Sequence, residues 1–360
     1  MEGMGLIAGT DIAALSGKSI FLTGHTGFKG SWMVALLHRL GCRIHGYALA
    51  PVGDFNLYTL SETASLLAGE NIADIRGEET LALAMRRAEP DLVIHMAAQA
   101  LVRRSYIEPV SNWATNVMGT VNVLEAARAL PSVRGVLIVT TDKCYENVGW
   151  EWGYREVDRL GGHDPYSASK AAAELVTESY RRSFFADRDV AIVSARAGNV
   201  IGGGDWSEDR LMADAARAAA SGEILSIRNP GATRPWQHVL DCLSGYLAVA
   251  GRMITTPAGL ADAYNFGPDI ADNLTVGDVL ERLRNYWPEL RWKAGEQADK
   301  LHEATYLYLD SARAHQQLQW RPRWRLDMAL QQTAAWYRQV QHVPTDARAM
   351  MIAQIEEYLA

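Results

Sequence analysis

Apolar residues in the first half of the chain fall into short unbroken runs, separated by longer stretches in which they recur every three or four positions. The runs Ser19–Thr23, Arg43–Leu49, Leu92–Met96, Val136–Thr140 and Val190–Ala195 have the length and apolar content of buried strands. Between them the spacing predicts helices near 30–40, 80–88, 110–130 and 165–185. This alternation, from Lys18 to about Arg196, specifies an α/β fold with a doubly wound parallel sheet and helices on both faces.

The rhythm breaks after Asn199, where Gly202-Gly-Gly-Asp-Trp-Ser-Glu-Asp-Arg210 mixes glycine, tryptophan and charge. Beyond it the pattern predicts a helix near 209–221, a short strand near 224–228 and a loop at Arg234-Pro-Trp-Gln-His238. Helices follow near 239–252, 275–287 and 326–341. This half reads as a smaller, mixed α/β substrate-binding lobe over 199–345. The sheet domain covers 17–198, with segments near 239–267 returning to it. Asn265-Phe-Gly267 reads as a turn closing the sheet, and residues 1–16 as a short lead-in.

Chemistry in such sheets gathers at the carboxyl ends of the strands. Behind the first strand stands Thr23-Gly-His-Thr-Gly-Phe-Lys-Gly-Ser-Trp32, with glycines at 24, 27 and 30 and a helical pattern after it. Strand, glycine turn and helix form the Rossmann-type context for a dinucleotide: glycines admit the pyrophosphate, and the helix N-terminus offers unpaired N–H groups and partial positive charge. Gly24, His25, Thr26, Gly27, Phe28, Lys29 and Gly30 are the candidate contacts. Asp74 and Ile75 either meet the adenine or belong to a surface loop. The second strand ends in Gly46-Tyr-Ala-Leu-Ala50, without an acid for a ribose hydroxyl or an arginine for a phosphate, so it does not choose between NAD and NADP. In His95-Met-Ala-Ala-Gln99 the small Ala97 and Ala98, with Gln99, let backbone lie against the cofactor. Asn116 either marks a kink with a relay water or is an ordinary interior polar residue.

Tyr166 and Lys170 lie four apart in a helical stretch, hence on one face. An ammonium beside a phenol lowers its pKa, which would let Tyr166 exchange a proton with a sugar hydroxyl near neutral pH. Asp164-Pro165 suits the start of that helix. Thr141, after another strand, can complete a Thr–Tyr–Lys triad. Asp142-Lys143 beside it offers an acid and a base, the pair that elimination needs. Gln99, Arg103 and Ser105 follow a strand end and could face a sugar. Asn199, Arg210 and Arg234 are candidates for a diphosphate, although arginines in such a lobe also form surface salt bridges. Trp206 and Trp236 are candidates to shape a nucleotide pocket, whereas Trp292, Trp320 and Trp324 read as packing. His238 reads as a structural hydrogen-bonder, and nothing marks Cys144 as a nucleophile.

Composition narrows the classes. A chain of 360 residues that is 48% apolar can bury a full core. A net charge of −7 without a basic run argues against nucleic acid and membrane surfaces. Cys42, Cys144 and Cys242 are too few and too scattered for a disulfide framework or a metal site. With no apolar stretch of membrane-spanning length and no signal-like N-terminus, the expectation is a soluble cytoplasmic protein.

Thr23–Trp32, His95–Gln99, Asp142-Lys-Cys-Tyr-Glu146, Trp152-Gly-Tyr-Arg155, Tyr166–Lys170, Arg196–Trp206 and Arg234–Val239 together resemble the CDP-glucose 4,6-dehydratases, which are extended short-chain dehydrogenase/reductase enzymes. The resemblance spans about residue 17 to Trp336. His25 with Lys29, and the Asp-Lys pair, are its narrowest markers; Thr141 departs from a more usual serine, and Ala50-Pro51 from a common acidic residue. It implies NAD as cofactor and conversion of CDP-glucose to the 4-dehydro-6-deoxy sugar in deoxysugar biosynthesis. It further implies oxidation at C4 by Tyr166 with Lys170, C5 proton removal by Lys143 and C6 hydroxyl protonation by Asp142. Pairing of opposite charges favours the charged forms of both Asp142 and Lys143, the reverse of these roles, so the dyad is firmer than its division. A homodimer or tetramer is implied; helical stretches near 118–130 and 168–176 would pack between subunits or against the sheet. A sugar-nucleotide epimerase needs no Asp-Lys pair, and a cofactor-sensing scaffold needs no triad.

Overall fold

The computed structural model describes residues 11–53, 55–295 and 306–360. The first ten residues of the lead-in and residues 296–305 of the lobe lie outside them; residues 11–15 form a short helix whose Ile12 and Leu15 are buried. The first half contains strands β1 (Ser19–Thr23), β2 (Arg43–Ala48), β3 (Gly69–Ile72), β4 (Leu92–His95), β5 (Gly135–Val139) and β6 (Ala191–Ala197). It also contains helices α1 (Phe28–Arg39), α2 (Leu57–Leu60), α3 (Glu78–Ala88), α4 (Val102–Ile107), α5 (Pro109–Trp113), α6 (Gly119–Arg128) and α7 (Pro165–Phe184).

The second half adds β7 (Val200–Ile201), α8 (Leu211–Ser221), β8 (Ile224–Ile227), β9 (Thr233–Pro235), β10 (Gln237–His238) and α9 (Val239–Thr255). After β11 (Ala263–Phe266) come β12 (Asn273–Thr275), α10 (Val276–Arg284), β13 (Arg291–Ala294), α11 (Ala312–Gln317), α12 (Leu326–His342) and α13 (Ala347–Leu359). Seven parallel strands form the main sheet in the order β11-β6-β5-β4-β1-β2-β3. The doubly wound sheet expected from the apolar runs is thus present.

The sheet separates two cores, as its two-sided burial requires. On one face α1 and α9 pack with the 11–15 helix, α12 and α13; on the other α3 and α6 pack over Phe21, Val93, Val136 and Ile138. α9 is buried along almost its whole length, which returns this segment of the second half to the sheet. Three short strand pairs, β7 with β10, β9 with β12 and β8 with β13, build the lobe.

Four local readings change. β3, Gly-Glu-Asn-Ile, has no apolar run because it is a half-exposed edge, so pattern alone passed over it. Asn265 and Phe266 lie inside β11 rather than in a turn. Asn265 is tolerated there because its amide donates to the carbonyls of Tyr154 and Asp310 at 2.8 and 3.1 Å and accepts from Tyr145 at 2.7 Å. Arg234–His238 is not a loop but parts of β9 and β10. The single helix expected over 110–130 is α5, a turn with i→i+5 bonding at Ala114–Met118, and α6.

Candidate active site

A cavity of about 1230 Å³ opens where the carboxyl edge of the sheet faces the lobe. Its floor begins at the glycine turn. Gly24 has φ +80° and lies so close to the end of β4 that a β-carbon would meet Ala97 N at 2.7 Å. Thr23 fixes that approach: its hydroxyl accepts the N–H groups of Met96 and Ala97, each at 3.1 Å, and pairs with His95 Nδ1 at 2.8 Å. A β-carbon on Gly30 would lie 2.0 Å from the Gly24 carbonyl. Gly27 caps α1 without a side-chain acceptor, so the helix N-terminus faces the cavity with donors for an anion. This cradle fits a dinucleotide pyrophosphate.

Gly24, Thr26, Gly27, Phe28, Lys29, Gly30, Asp74, Ile75, Ala97, Ala98 and Gln99 all line the cavity. His25 does not. It is fully buried and turned under β2, with Nε2 2.7 Å from Glu70 and its ring against Gly46, where a β-carbon would intrude to 2.7 Å. Burial holds its pKa below the usual value against the pull of Glu70. Asn116 is also off the wall: its amide bonds the Gln99 backbone at 2.9 and 3.0 Å and Ser169 Oγ at 2.9 Å, staples made possible by the wide turn. Tyr47, missed in the sequence, lines the site and donates to the Asp74 carbonyl at 3.0 Å.

The redox face is built by β5 and α7. Asp164 caps α7 through the Ser167 N–H at 2.9 Å, and Pro165 occupies the first turn as expected. Lys170 Nζ donates to the Val139 carbonyl at 3.0 Å, and the Thr141 hydroxyl, which donates to Asp142, lies beside the Tyr166 phenol. Burial pushes the Tyr166 phenol up to about 12, although the neighbouring Thr141 hydroxyl and the Arg210 charge lower it. Lys170, itself drawn down to about 8 by burial and then by Lys29, does not reverse this. The expected lowering of the phenol by its ammonium neighbour therefore loses to desolvation.

Asp142 and Lys143 form a pair 3.2 Å apart in a short turn after β5. Lys143 and Thr141 reach the cavity wall. Asp142 is fully buried behind them; its Oδ1 accepts from Thr141 at 2.9 Å, while Oδ2 has no partner and faces Gly198.

On the lobe side the wall carries Asn199, Arg210 and Arg234, with Arg103 from α4 and Gln99 below. Ser105 does not face the cavity: it is buried and accepts the Tyr166 N–H at 3.2 Å. Gln99 points back into its own loop, bonding Leu101 and Asn112. Arg228 and Asn229 were passed over, although a basic residue at the end of the predicted 224–228 strand was the signal. Trp206 and Trp236 are packing residues, Trp206 against Phe55 and Tyr337 and Trp236 bonded to the Leu274 carbonyl at 3.1 Å. His238 caps α9 as a structural group.

The chain is 43% identical over 327 residues to a CDP-glucose 4,6-dehydratase of Salmonella typhimurium, covering 89% of this chain and 91% of that protein. A dTDP-glucose 4,6-dehydratase of Xanthomonas campestris is 27% identical over 88% of this chain and 92% of its own length. Among solved structures, a UDP-glucose 4-epimerase of Thermotoga maritima superposes with a TM-score of 0.77 at 22% identity, covering 89% of this chain and 99% of that one. A dTDP-glucose 4,6-dehydratase of Bacillus anthracis, in complex with NAD, gives 0.74 at 21%, covering 90% and 97%. These structures share the fold. The profile described as GDP-mannose 4,6 dehydratase matches residues 21–333. With a match that runs from the first strand into α12, the chain belongs to the GDP-mannose 4,6 dehydratase family.

Proposed function

We propose that this protein is a CDP-glucose 4,6-dehydratase that uses NAD and forms CDP-4-dehydro-6-deoxy-D-glucose and water. One observation carries the reading: the Asp142–Lys143 pair adjoins Thr141, and Thr141, Lys143, Tyr166 and Lys170 line the same cavity, so redox and acid/base groups serve one site. The relative named above as a CDP-glucose 4,6-dehydratase supports the choice of nucleotide, and the NAD complex of the dTDP-glucose enzyme supports the cofactor. An epimerase, which only oxidises and re-reduces C4, has no use for the dyad.

When bound, the dinucleotide supplies a hydride acceptor that later serves as donor, and a positive charge beside the phenol. Its cradle is formed by Gly24, Thr26, Gly27, Phe28, Lys29 and Gly30, with Asp74 and Ile75 toward the adenine and Ala97 and Ala98 beneath. With the positive charge beside the phenol offsetting the desolvation that raises its pKa, Tyr166 as the phenolate takes the proton of the C4 hydroxyl; Thr141 stands beside it, and Lys170 is anchored one helical turn away on the Val139 carbonyl. The C4 ketone acidifies the C5 hydrogen, which Lys143 Nζ removes from the cavity wall. The step balances with Lys143 acting as the free amine and Asp142 as the carboxylic acid: the acid's proton passes to the departing C6 hydroxyl, the amine keeps the C5 proton, and elimination leaves the carboxylate–ammonium pair. Arg210 and Arg234, with Arg103 and Asn199, hold the diphosphate.

We assign residues 17–198, with the returning segments near 239–267, to the cofactor domain and 199–345 mainly to the substrate lobe. All three cysteines are free and buried, which suits the cytoplasm. Among the described residues no helix is long and apolar enough to cross a membrane. Exposed Ile107, Val110, Trp113 and Met118 on and just after α4 and α5, with Leu175 on α7, suit a homodimer, which light scattering would test.

Mass spectrometry after incubation with CDP-, dTDP-, UDP- or GDP-glucose tests the activity. Loss of one water from CDP-glucose alone is expected. No water loss from any donor, with NAD⁺ or NADP⁺ added, would overturn the assignment.

A further inference from the structure

We propose that the buried Glu174–Arg196 ion pair is a clamp closed on both ends of the Asp142–Lys143 segment, and that it sets the geometry of elimination rather than of oxidation. The inference rests on the dehydratase reading above. Glu174 and Arg196 lie 2.8 Å apart with side chains only 4% and 5% exposed. The Thr140 hydroxyl donates to Glu174 Oε1, and the Ser194 hydroxyl donates to Oε2 at 2.7 Å. Arg196 Nη1 donates to the Tyr145 hydroxyl at 2.7 Å, which in turn donates to Asn265 at 2.7 Å. The guanidinium also lies 5.0 Å from the centre of the Tyr145 ring. Thr140 immediately precedes the Thr141–Asp142–Lys143 stretch and Tyr145 closely follows it. One ion pair therefore grips the turn from both sides.

A pair this deeply buried is weak evidence for stability, because desolvation offsets most of the attraction. Its partners suggest a positioning role. Residues 142–144 make only one short turn of their own; main-chain bonds from the Thr140 N–H to the Ala195 carbonyl at 2.9 Å and from the Gly161 N–H to the Cys144 carbonyl at 2.8 Å hold its backbone, and the Thr140 and Tyr145 hydroxyls add the side-chain grip at either end. Tyr166 and Lys170 stand on α7 and are oriented by Ser105, the Asp164 cap and the Val139 carbonyl, so of the redox groups only Thr141 belongs to the gripped stretch. Loosening the far ends of the clamp should move the dyad and leave the redox pair in place.

Thr140→Val and Tyr145→Phe keep shape and remove these two hydroxyls, singly and together, without touching the ion pair. The holoenzyme is mixed with CDP-glucose while cofactor reduction is followed by absorbance and water loss by mass spectrometry. In the double variant we expect reduction within about threefold of the parent and water loss slowed about ten- to a hundredfold, as for displaced catalytic groups. Reduced cofactor would accumulate, with KM for CDP-glucose little changed. Both steps slowing in proportion, or neither slowing, would overturn the clamp, as would a fall in melting temperature with the ratio of steps unchanged. If the single variants fold and the double does not, the same ratio in each single decides. A parent protein that releases no water from CDP-glucose sinks the dehydratase reading and the clamp with it; a parent that turns over beside a proportionally slowed variant sinks the clamp alone.

Discussion

Ser105 accepts the main-chain N–H of Tyr166 at 3.2 Å, joining α4 to the first turn of the helix that carries the proposed proton-transfer phenol. The sequence assigned this serine to the sugar, whereas its hydroxyl, which also donates to Val102 at 2.6 Å, orients the tyrosine from behind. Ser105→Ala leaves a buried N–H without its acceptor, a loss of about 1–3 kcal/mol. A lower melting temperature is expected, with kcat reduced more than KM is raised. A change confined to KM would restore the sugar-binding role.

Asp142→Asn combined with Lys143→Ala should retain C4 oxidation and block loss of water, because Ser105 and the Val139 carbonyl orient Tyr166 and Lys170, and the asparagine keeps the oxygen that accepts from Thr141. Transient cofactor reduction without the dehydrated product is the expected signal. Product at the parent rate would remove the dyad from the mechanism.

Lys170 illustrates a cost of function in stability. Its folded pKa, about 8, is depressed from an ordinary 10.5 by burial and then Lys29. The unfolded chain therefore binds the proton more tightly, and this opposes folding by roughly 3 kcal/mol below the folded value. The penalty fades as pH rises from about 8 through 10.5. Lys170→Met should melt higher than the parent at neutral pH, lose that advantage in alkali, and fail to oxidise substrate. Thermal denaturation across this range would show otherwise if the difference were flat.

Asp241 on α9 behaves in the opposite sense. Burial raises its pKa from 3.8 to about 6, against lowering hydrogen bonds from the Arg323 backbone and Tyr358. The folded state therefore gains most below the ordinary value and loses roughly 3 kcal/mol of that contribution as pH rises through about 6. Asp241→Asn should gain stability relative to the parent between mildly acidic and neutral pH. Parallel melting curves against pH would refute it.

Gly30→Ala would place a methyl carbon 2.0 Å from the Gly24 carbonyl and 2.7 Å from His25 Cα. Backbone cannot yield there without opening the turn. The variant should lose retained dinucleotide, measured by extraction and chromatography, before any change at Tyr166 is needed to explain inactivity.

Buried parallel strands are nearly all apolar and helices repeat every 3.6 residues, so the sequence by itself determined the sheet's central strands and their helices. It also determined which ends would carry chemistry, because Gly24 and Gly30 permit approaches no side chain allows, and Tyr166 and Lys170 share a helix face at their spacing. Tertiary structure alone decided the rest. The edge strand β3 has no apolar run, and Asn265 could enter β11 only because Tyr145, Tyr154 and Asp310 satisfy its amide. His25 and Ser105 sit in motifs beside the cavity, yet side-chain direction and partners distant in sequence turn both away from it. The phenol's pKa is likewise a property of burial, which no spacing of tyrosine and lysine encodes. The grip of Glu174 and Arg196 on residues 140 and 145 exists because β5, β6 and α7 meet beneath the site.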